Sequence, residues 1–330
     1  MPDTPITAPA PPGPLPVRRI ATVGFTVANL DRATAFFTGA LAFTKVFDTT
    51  IADTAYAHLT GVAGARLRVA RVQLGEAIIE LTQYLAPAGG RPMPTDARSN
   101  DRWFQHLAVV VRDIDAAYMH LTRHKVRGVS PAPQRLPDSI KGAGGIRSYY
   151  FRDPDGHFLE LLQYPPDKGD ARWHAPTDAL FLGVDHTAIS VRDTEASLRF
   201  YRDALGMRVQ QQTLNEGIEQ ERLTGVPGAR VRITSLRFPV GIGVELLDYQ
   251  APTDGRPTPA DLRANDLAHA QMRLVTPDIG RALRYARGHA LPVVSNVSTD
   301  GEALPARALG YDRAALVRDP DGHGIEFATA

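Results

Sequence analysis

The chain repeats itself, and that constrains its fold more than anything else in it. RATAFFTGALAF at 32–43 returns as EASLRFYRDALGM at 195–207, and LTGVAGARLRV at 59–69 as LTGVPGARVRI at 223–233. GRPMPTDARSND at 90–101 returns as GRPTPADLRAND at 255–266, and FRDPDGHFLE at 151–160 as VRDPDGHGIE at 317–326. A repeat of this length means two copies of one folding unit. The copies run over about 18–165 and 183–330, joined by a polar, Pro-containing linker at 166–182.

Each half repeats again, more faintly. ATVGFTVANLDRATAFF resembles FQHLAVVVRDIDAAYMHL, and VDHTAISVRDTEASLRFY resembles AHAQMRLVTPDIGRALRY. In all four, alternating apolar residues give way to an Asp and then to helical spacing. That predicts a half-buried strand, an N-cap, and a helix packed on the sheet. Runs such as VRITSLRF and VGIGVELLDY, set off by Gly and Pro, then read as further strands. The module is therefore β-α-β-β-β, present four times, and the fold class is α+β.

Composition removes several kinds of function. With 330 residues, 43% of them hydrophobic, the chain can bury the cores of two domains. A formal charge of +1 offers no general attraction for nucleic acid or for an anionic membrane. No apolar run approaches a membrane span. The absence of Cys rules out disulfides, thiolate nucleophiles and thiolate-bound metal, and suits a cytoplasmic protein. Residues 1–17, rich in Pro and Ala, lack the basic start and apolar stretch of a secretory signal and read as a disordered tail.

The modules and the twice-used DPDGHxxE phrase (153–160 and 319–326) resemble the vicinal-oxygen-chelate superfamily. It includes glyoxalase I, fosfomycin and bleomycin resistance proteins, methylmalonyl-CoA epimerase and extradiol dioxygenases. The resemblance covers nearly all of 18–330 and implies two tandem domains of curled mixed sheets around a cleft. It also implies one inward residue from each module's first strand and one from a late strand. The first-strand positions are Thr22, His106, His186 and Gln271; the late-strand positions are Glu80, Glu160, Glu245 and Glu326.

Four glutamates at one repeat position would repel one another in an enclosed cleft unless a cation sat among them. Their alternative is water, or pairing with Arg66, Arg68, Arg230 or Arg232. With no thiolate available, a divalent ion such as Fe, Zn, Ni, Mn or Co would rest on imidazole and oxygen. The second half offers His186, Glu245, Gln271 and Glu326, with His269 as an alternative ligand or base. The first offers Glu80, His106 and Glu160, with Thr22 a poor fourth. Catalytic candidates are Glu326, Glu245 and His269.

Three functions follow from the resemblance. One is a glyoxalase-type isomerase or lyase acting on a small molecule with vicinal oxygens through an enediolate-like intermediate. Another is an Fe(II) extradiol-type dioxygenase, for which Tyr150 is placed as a ring-cleavage tyrosine while its counterpart in the second half is Leu316. The third is a metal-free small-molecule binding or resistance protein. The partner in each is a small molecule, and the chain is a monomer or a homodimer. His157 and His323, after DPDG turns, read as exposed turn residues, GAGG at 142–145 as a loop able to cover the first cleft, and Trp103 and Phe104 as packing.

Overall fold

Alternation and capping fix the local structure much as the repeat requires. The computed structural model describes residues 14–297 and 304–329. The first module contains β1 (Arg19–Thr26), α1 (Leu30–Ala40), β2 (Thr44–Ile51), α2 (Thr54–Thr60), β3 (Arg66–Leu74) and β4 (Ala77–Ala86). The second contains β5 (Phe104–Val111), α3 (Ile114–Arg123), the short β6 (Arg127–Gly128) and β7 (Gln134–Arg135), then β8 (Arg147–Arg152) and β9 (Phe158–Gln163).

The third begins with β10 (Phe181–Val191) and α4 (Thr194–Leu198), which runs on as a π-helix over Arg199–Ala204. It continues through β11 (Arg208–Asn215), α5 (Ile218–Thr224), β12 (Arg230–Arg237) and β13 (Gly243–Ala251). The fourth has β14 (Ala270–Val275), α6 (Ile279–Gly288), β15 (Leu304–Ala306), β16 (Tyr311–Arg318) and β17 (Gly324–Thr329). Each module's long helix has an acidic or amide N-cap accepting from a first-turn amide: Asn29, Asp113, Asp193 and Asp278. Among the described residues no helix is long and apolar enough to cross a membrane.

Within every module the first strand lies parallel to the last: β1 to β4, β5 to β9, β10 to β13, β14 to β17. The modules then join through their first strands, but not within a half. β1 pairs antiparallel with β14, giving a sheet of order β15-β16-β17-β14-β1-β4-β3-β2. β5 pairs with β10, giving β11-β12-β13-β10-β5-β9-β8-β6, with β7 on β8. Both sheets are therefore shared between the halves.

The repeated GRPxP segments show why. Arg91 reaches into the second half, bonding Asp266 at 2.7 Å and Asp261 at 2.9 Å; Arg256 reaches back to Asp101 at 2.6 Å and Asp96 at 3.0 Å. Gly90 lies so close to the Asn265 carbonyl that an added Cβ would stand 1.7 Å from it, and Gly255 repeats this at Asn100 with 1.9 Å. The two arms clasp each other and carry each half's modules onto the other half.

One apolar core runs through both sheets and their helices, from Phe25 and Phe37 to Phe200 and Phe327. Leu15, placed in the disordered tail by composition, is buried in it, and its N–H bonds the Ala204 carbonyl at 2.7 Å. Residues 1–13 of that tail lie outside the described residues.

Candidate metal centre

The exchange of modules redistributes the expected ligands. His186 and Glu245 do not meet Gln271 and Glu326, which belong to the other sheet. They join His106 and Glu160 on the four central strands β13, β10, β5 and β9. His106 Nε2 stands 3.2 Å from His186 Nε2 and 2.9 Å from Glu160 Oε2. His186 Nε2 is 3.6 Å from Glu160 Oε2 and 3.4 Å from Glu245 Oε2. His106, Glu160 and His186 alone meet the geometry of a possible metal-holding group among the described residues. Ligand atoms bonded at about 2.1 Å to one ion stand about 3.0–3.4 Å from their neighbours, and the spread here is close to that.

The surroundings aim these atoms inward. Both strands bulge next to the histidine, bringing the preceding side chain alongside the ring. His106 Nδ1 is bonded to Gln105 Oε1, and His186 Nδ1 to Asp185 Oδ2 at 2.9 Å. A proton on each Nδ1 leaves the Nε2 lone pairs facing the cluster. The glutamates are held in the same manner: Ser148 donates to Glu160 Oε1, and Ser235 to Glu245 Oε1 at 2.6 Å. Asp185 is itself fixed by Arg237 at 2.5 Å, by the Trp173 indole N–H at 3.2 Å and by Tyr164.

The cluster is short of positive charge. Burial disfavours the His186 imidazolium, yet Glu245, Asp185 and Glu160 outweigh it and its pKa is pushed up to about 9. Burial likewise disfavours ionised Glu160, but the imidazoles of His106 and His186 and the Ser148 hydroxyl hold its pKa below the usual carboxylate value. Two inward carboxylates and two imidazoles, chemically suited to a borderline divalent cation, make a donor set that such an ion fits.

The opposite cleft gathers Thr22, Glu80, Gln271 and Glu326, with a guanidinium in their midst. Arg273, 1% exposed, bonds both oxygens of Glu80 at 2.7 and 2.8 Å and Glu326 Oε1 at 2.5 Å. Its Nη1 also reaches Thr22 Oγ1 at 3.3 Å, while Gln271 donates to Glu326 Oε2 at 2.7 Å. Arg71 adds a bond to Glu80 at 2.9 Å. Three of the four arginines considered as partners from sequence go elsewhere: Arg68 to Asp48 and Asp31, Arg230 to Glu216, Arg232 to Glu195.

Three candidates change accordingly. Glu326 is engaged by a cation of the chain itself. His269 hydrogen-bonds Gln271 at 3.1 Å in this same cleft, away from the histidine pair. Burial, followed by the nearby Arg318 charge, drives its pKa down to about 3. The separate first-half set of Glu80, His106 and Glu160 is likewise divided between the sheets. The signal for Arg273 was present in the repeat, since two residues past each first-strand position stand Gly24, Ala108, Ala188 and Arg273.

His157 and His323 are buried rather than exposed. His157 Nδ1 bonds Asp153 and its Nε2 the Leu267 carbonyl of the other half, both at 2.7 Å. His323 repeats the aspartate contact on Asp319 at 2.8 Å. Trp103 packs with Ala97 and Phe158, as read from sequence. Tyr150 is buried with its ring 4.9 Å from that of His106, and the 142–145 loop meets β11 where Gly142 faces Gln211.

Comparison with known proteins bears on the family and the fold. The family model described as Glyoxalase/Bleomycin resistance protein/Dioxygenase superfamily matches residues 19–161 and again 183–327. A 2-epi-5-epi-valiolone epimerase from an Actinomyces species is 36% identical over 159 residues, 47% of this chain and 82% of that protein. A lactoylglutathione lyase of Arabidopsis thaliana is 26% identical over 223 residues, 66% of this chain and 64% of its own. Glyoxalase I from Zea mays superposes with a TM-score of 0.60 at 16% identity, over 94% of this chain and 92% of that one.

Proposed function

The chain belongs to the glyoxalase/bleomycin resistance protein/dioxygenase superfamily, and we propose that it is a metal-dependent isomerase or lyase of glyoxalase type working at the His106–Glu160–His186–Glu245 cluster. The observation that carries this reading is the convergence of His106 Nε2, His186 Nε2 and Glu160 Oε2 in one buried place, with Glu245 Oε2 at its margin 3.4 Å from His186 Nε2. The substrate class is a small molecule bearing a carbonyl and a hydroxyl on adjacent carbons, the kind of compound on which proton movement between carbons is an epimerisation or isomerisation. The epimerase and lyase among the relatives support it.

A divalent ion held by His106, Glu160 and His186, with Glu245 beside them, would act as a Lewis acid toward the two substrate oxygens. The chain supplies the rest. Glu160, buried and bonded to His106, is a fixed anchor. Glu245 has 20% of its side chain exposed against 7% for Glu160, and is the more accessible of the two carboxylates. Its Oε2 takes the proton from the substrate carbon and returns it, while Ser235 keeps Oε1 in place. Gln105 and Asp185 hold the imidazoles in one tautomer throughout.

The test is hydrogen exchange. Metal-loaded protein in deuterated water should wash deuterium into the C–H beside the carbonyl of α-hydroxyketone substrates, followed by proton NMR. Glu245→Gln should slow this about 100-fold or more and Glu160→Gln should lose the metal. Absence of exchange across such a panel by protein shown to hold metal would overturn the reading.

The two imidazoles with a carboxylate, and Tyr150 against His106, favour a second reading: a dioxygenase on Fe(II). Oxygen uptake with catechols by the iron-loaded protein would select it.

A further inference from the structure

The second cleft has the positions of a metal site and the contents of a salt bridge. Its two glutamates stand where Glu160 and Glu245 stand in the first cleft, one at each module's late-strand position. In the first cleft the residues two places beyond the histidines are Ala108 and Ala188, too short to put a charge among the glutamates. In the second they are Gly24 and Arg273, and the arginine side chain reaches into the centre.

There it satisfies Glu80 with two N–H groups and Glu326 with a third, and its guanidinium carbon lies 5.0 Å from the centre of the Tyr311 ring. The space left over is a cavity of about 30 Å³, room for about one water.

We infer that Arg273 is a built-in substitute for a metal ion, closing the second cleft to divalent cations, so that the folded chain carries metal at the His106 cluster alone. An arginine never gives up its charge under ordinary conditions, so this occupancy cannot be relieved by pH. Removing it would leave Glu80 and Glu326 buried with only Arg71 and Gln271 to answer them. Those carboxylates, the Gln271 amide and the Thr22 hydroxyl are an oxygen donor set, which suits a hard cation such as Mn(II) or Mg(II). The part of this inference that assigns one metal to the wild type rests on the proposed function; the part that assigns closure to Arg273 does not.

Mn(II) is the probe, counted by titration with electron paramagnetic resonance detection on full-length protein stripped with chelator. Wild type should take up about one equivalent. The double variant His106→Ala, Glu160→Gln should take up none, whereas Arg273→Ala should take up about two. Apo Arg273→Ala should melt below wild type and recover on addition of Mn(II), as a ligand that binds only the folded chain requires. Arg273→Lys, which keeps the charge, should gain no second ion.

Metal retained by the double variant at wild-type affinity would overturn the closure, and this reading does not depend on Arg273→Ala folding. A folded Arg273→Ala that gains no ion and no thermal rescue would overturn it as well. Wild type with no metal and Arg273→Ala with one would sink the proposed function while upholding the role of Arg273.

Discussion

At the scale of single residues, the two histidines of the cluster are not equivalent, and the difference lies one residue upstream of each. Gln105 gives His106 a neutral acceptor; Asp185 gives His186 a charged one, itself tethered by Arg237 and by Trp173 from the linker. A carboxylate behind an imidazole strengthens it as a donor and fixes its ring, and losing such a partner typically lowers metal affinity by about 10–100-fold. Asp185→Asn keeps the shape and removes the charge, so affinity should fall within that range while the apo fold persists. Gln105→Glu, which adds a charge behind the other ring, should not weaken binding. Competition titration against a chelator measures both, and equal affinity of Asp185→Asn and wild type would remove Asp185 from the site.

At the scale of elements, the DPDGH turns show how far sequence reading reaches. Turn chemistry explains the Asp-Pro-Asp-Gly run, and the turn is there; what it conceals is that the following histidine points inward and joins the halves. The strands, helices and caps were legible because period and capping are local properties. The eight inward positions were legible because repetition marks them. Which four of them share a cleft was not, because that depends on whether modules pair within a half or across it, and the same strand pattern serves both.

The turn around His157 also sets a pH dependence. Burial opposes the charged ring, but Asp153 and the Leu267 carbonyl accept from both nitrogens and raise the pKa above its ordinary 6.5. Below that value both folded and unfolded chains hold the proton, and the clasp contributes in full. As pH rises through the folded value the proton is lost and the contribution with it. The melting temperature of wild type should therefore fall more steeply, as pH rises above about 6.5, than that of His157→Gln. The corresponding excess loss of stability should be at most about 1.4 kcal/mol per pH unit. Parallel curves would show that the ring titrates alike in the folded and unfolded chains.

At the scale of the whole molecule, the exchange of modules decides which sites can exist. Half of this chain, paired with a second copy of itself by the same rule, would build different clefts. Two copies of 1–165 would place Thr22 and Glu80 opposite His106 and Glu160. Two copies of 183–330 would place His186 and Glu245 opposite Gln271, Glu326 and Arg273. Neither contains both histidines, and in the second the arginine sits beside the ligands. Only the mixed pair brings His106 to His186 and gives Arg273 both Glu80 and Glu326. The clasps favour it too, since Arg91 is answered by Asp266 and Arg256 by Asp101 across the two halves. A chain cut in the exposed stretch near Lys168 should thus yield fragments that associate one to one on mixing and regain metal binding. Arg91→Ala with Arg256→Ala should weaken that association. Native mass spectrometry of the mixture separates the outcomes: a preference for like pairs, or a half that melts cooperatively as a monomer, would show that the clefts do not depend on the partner half.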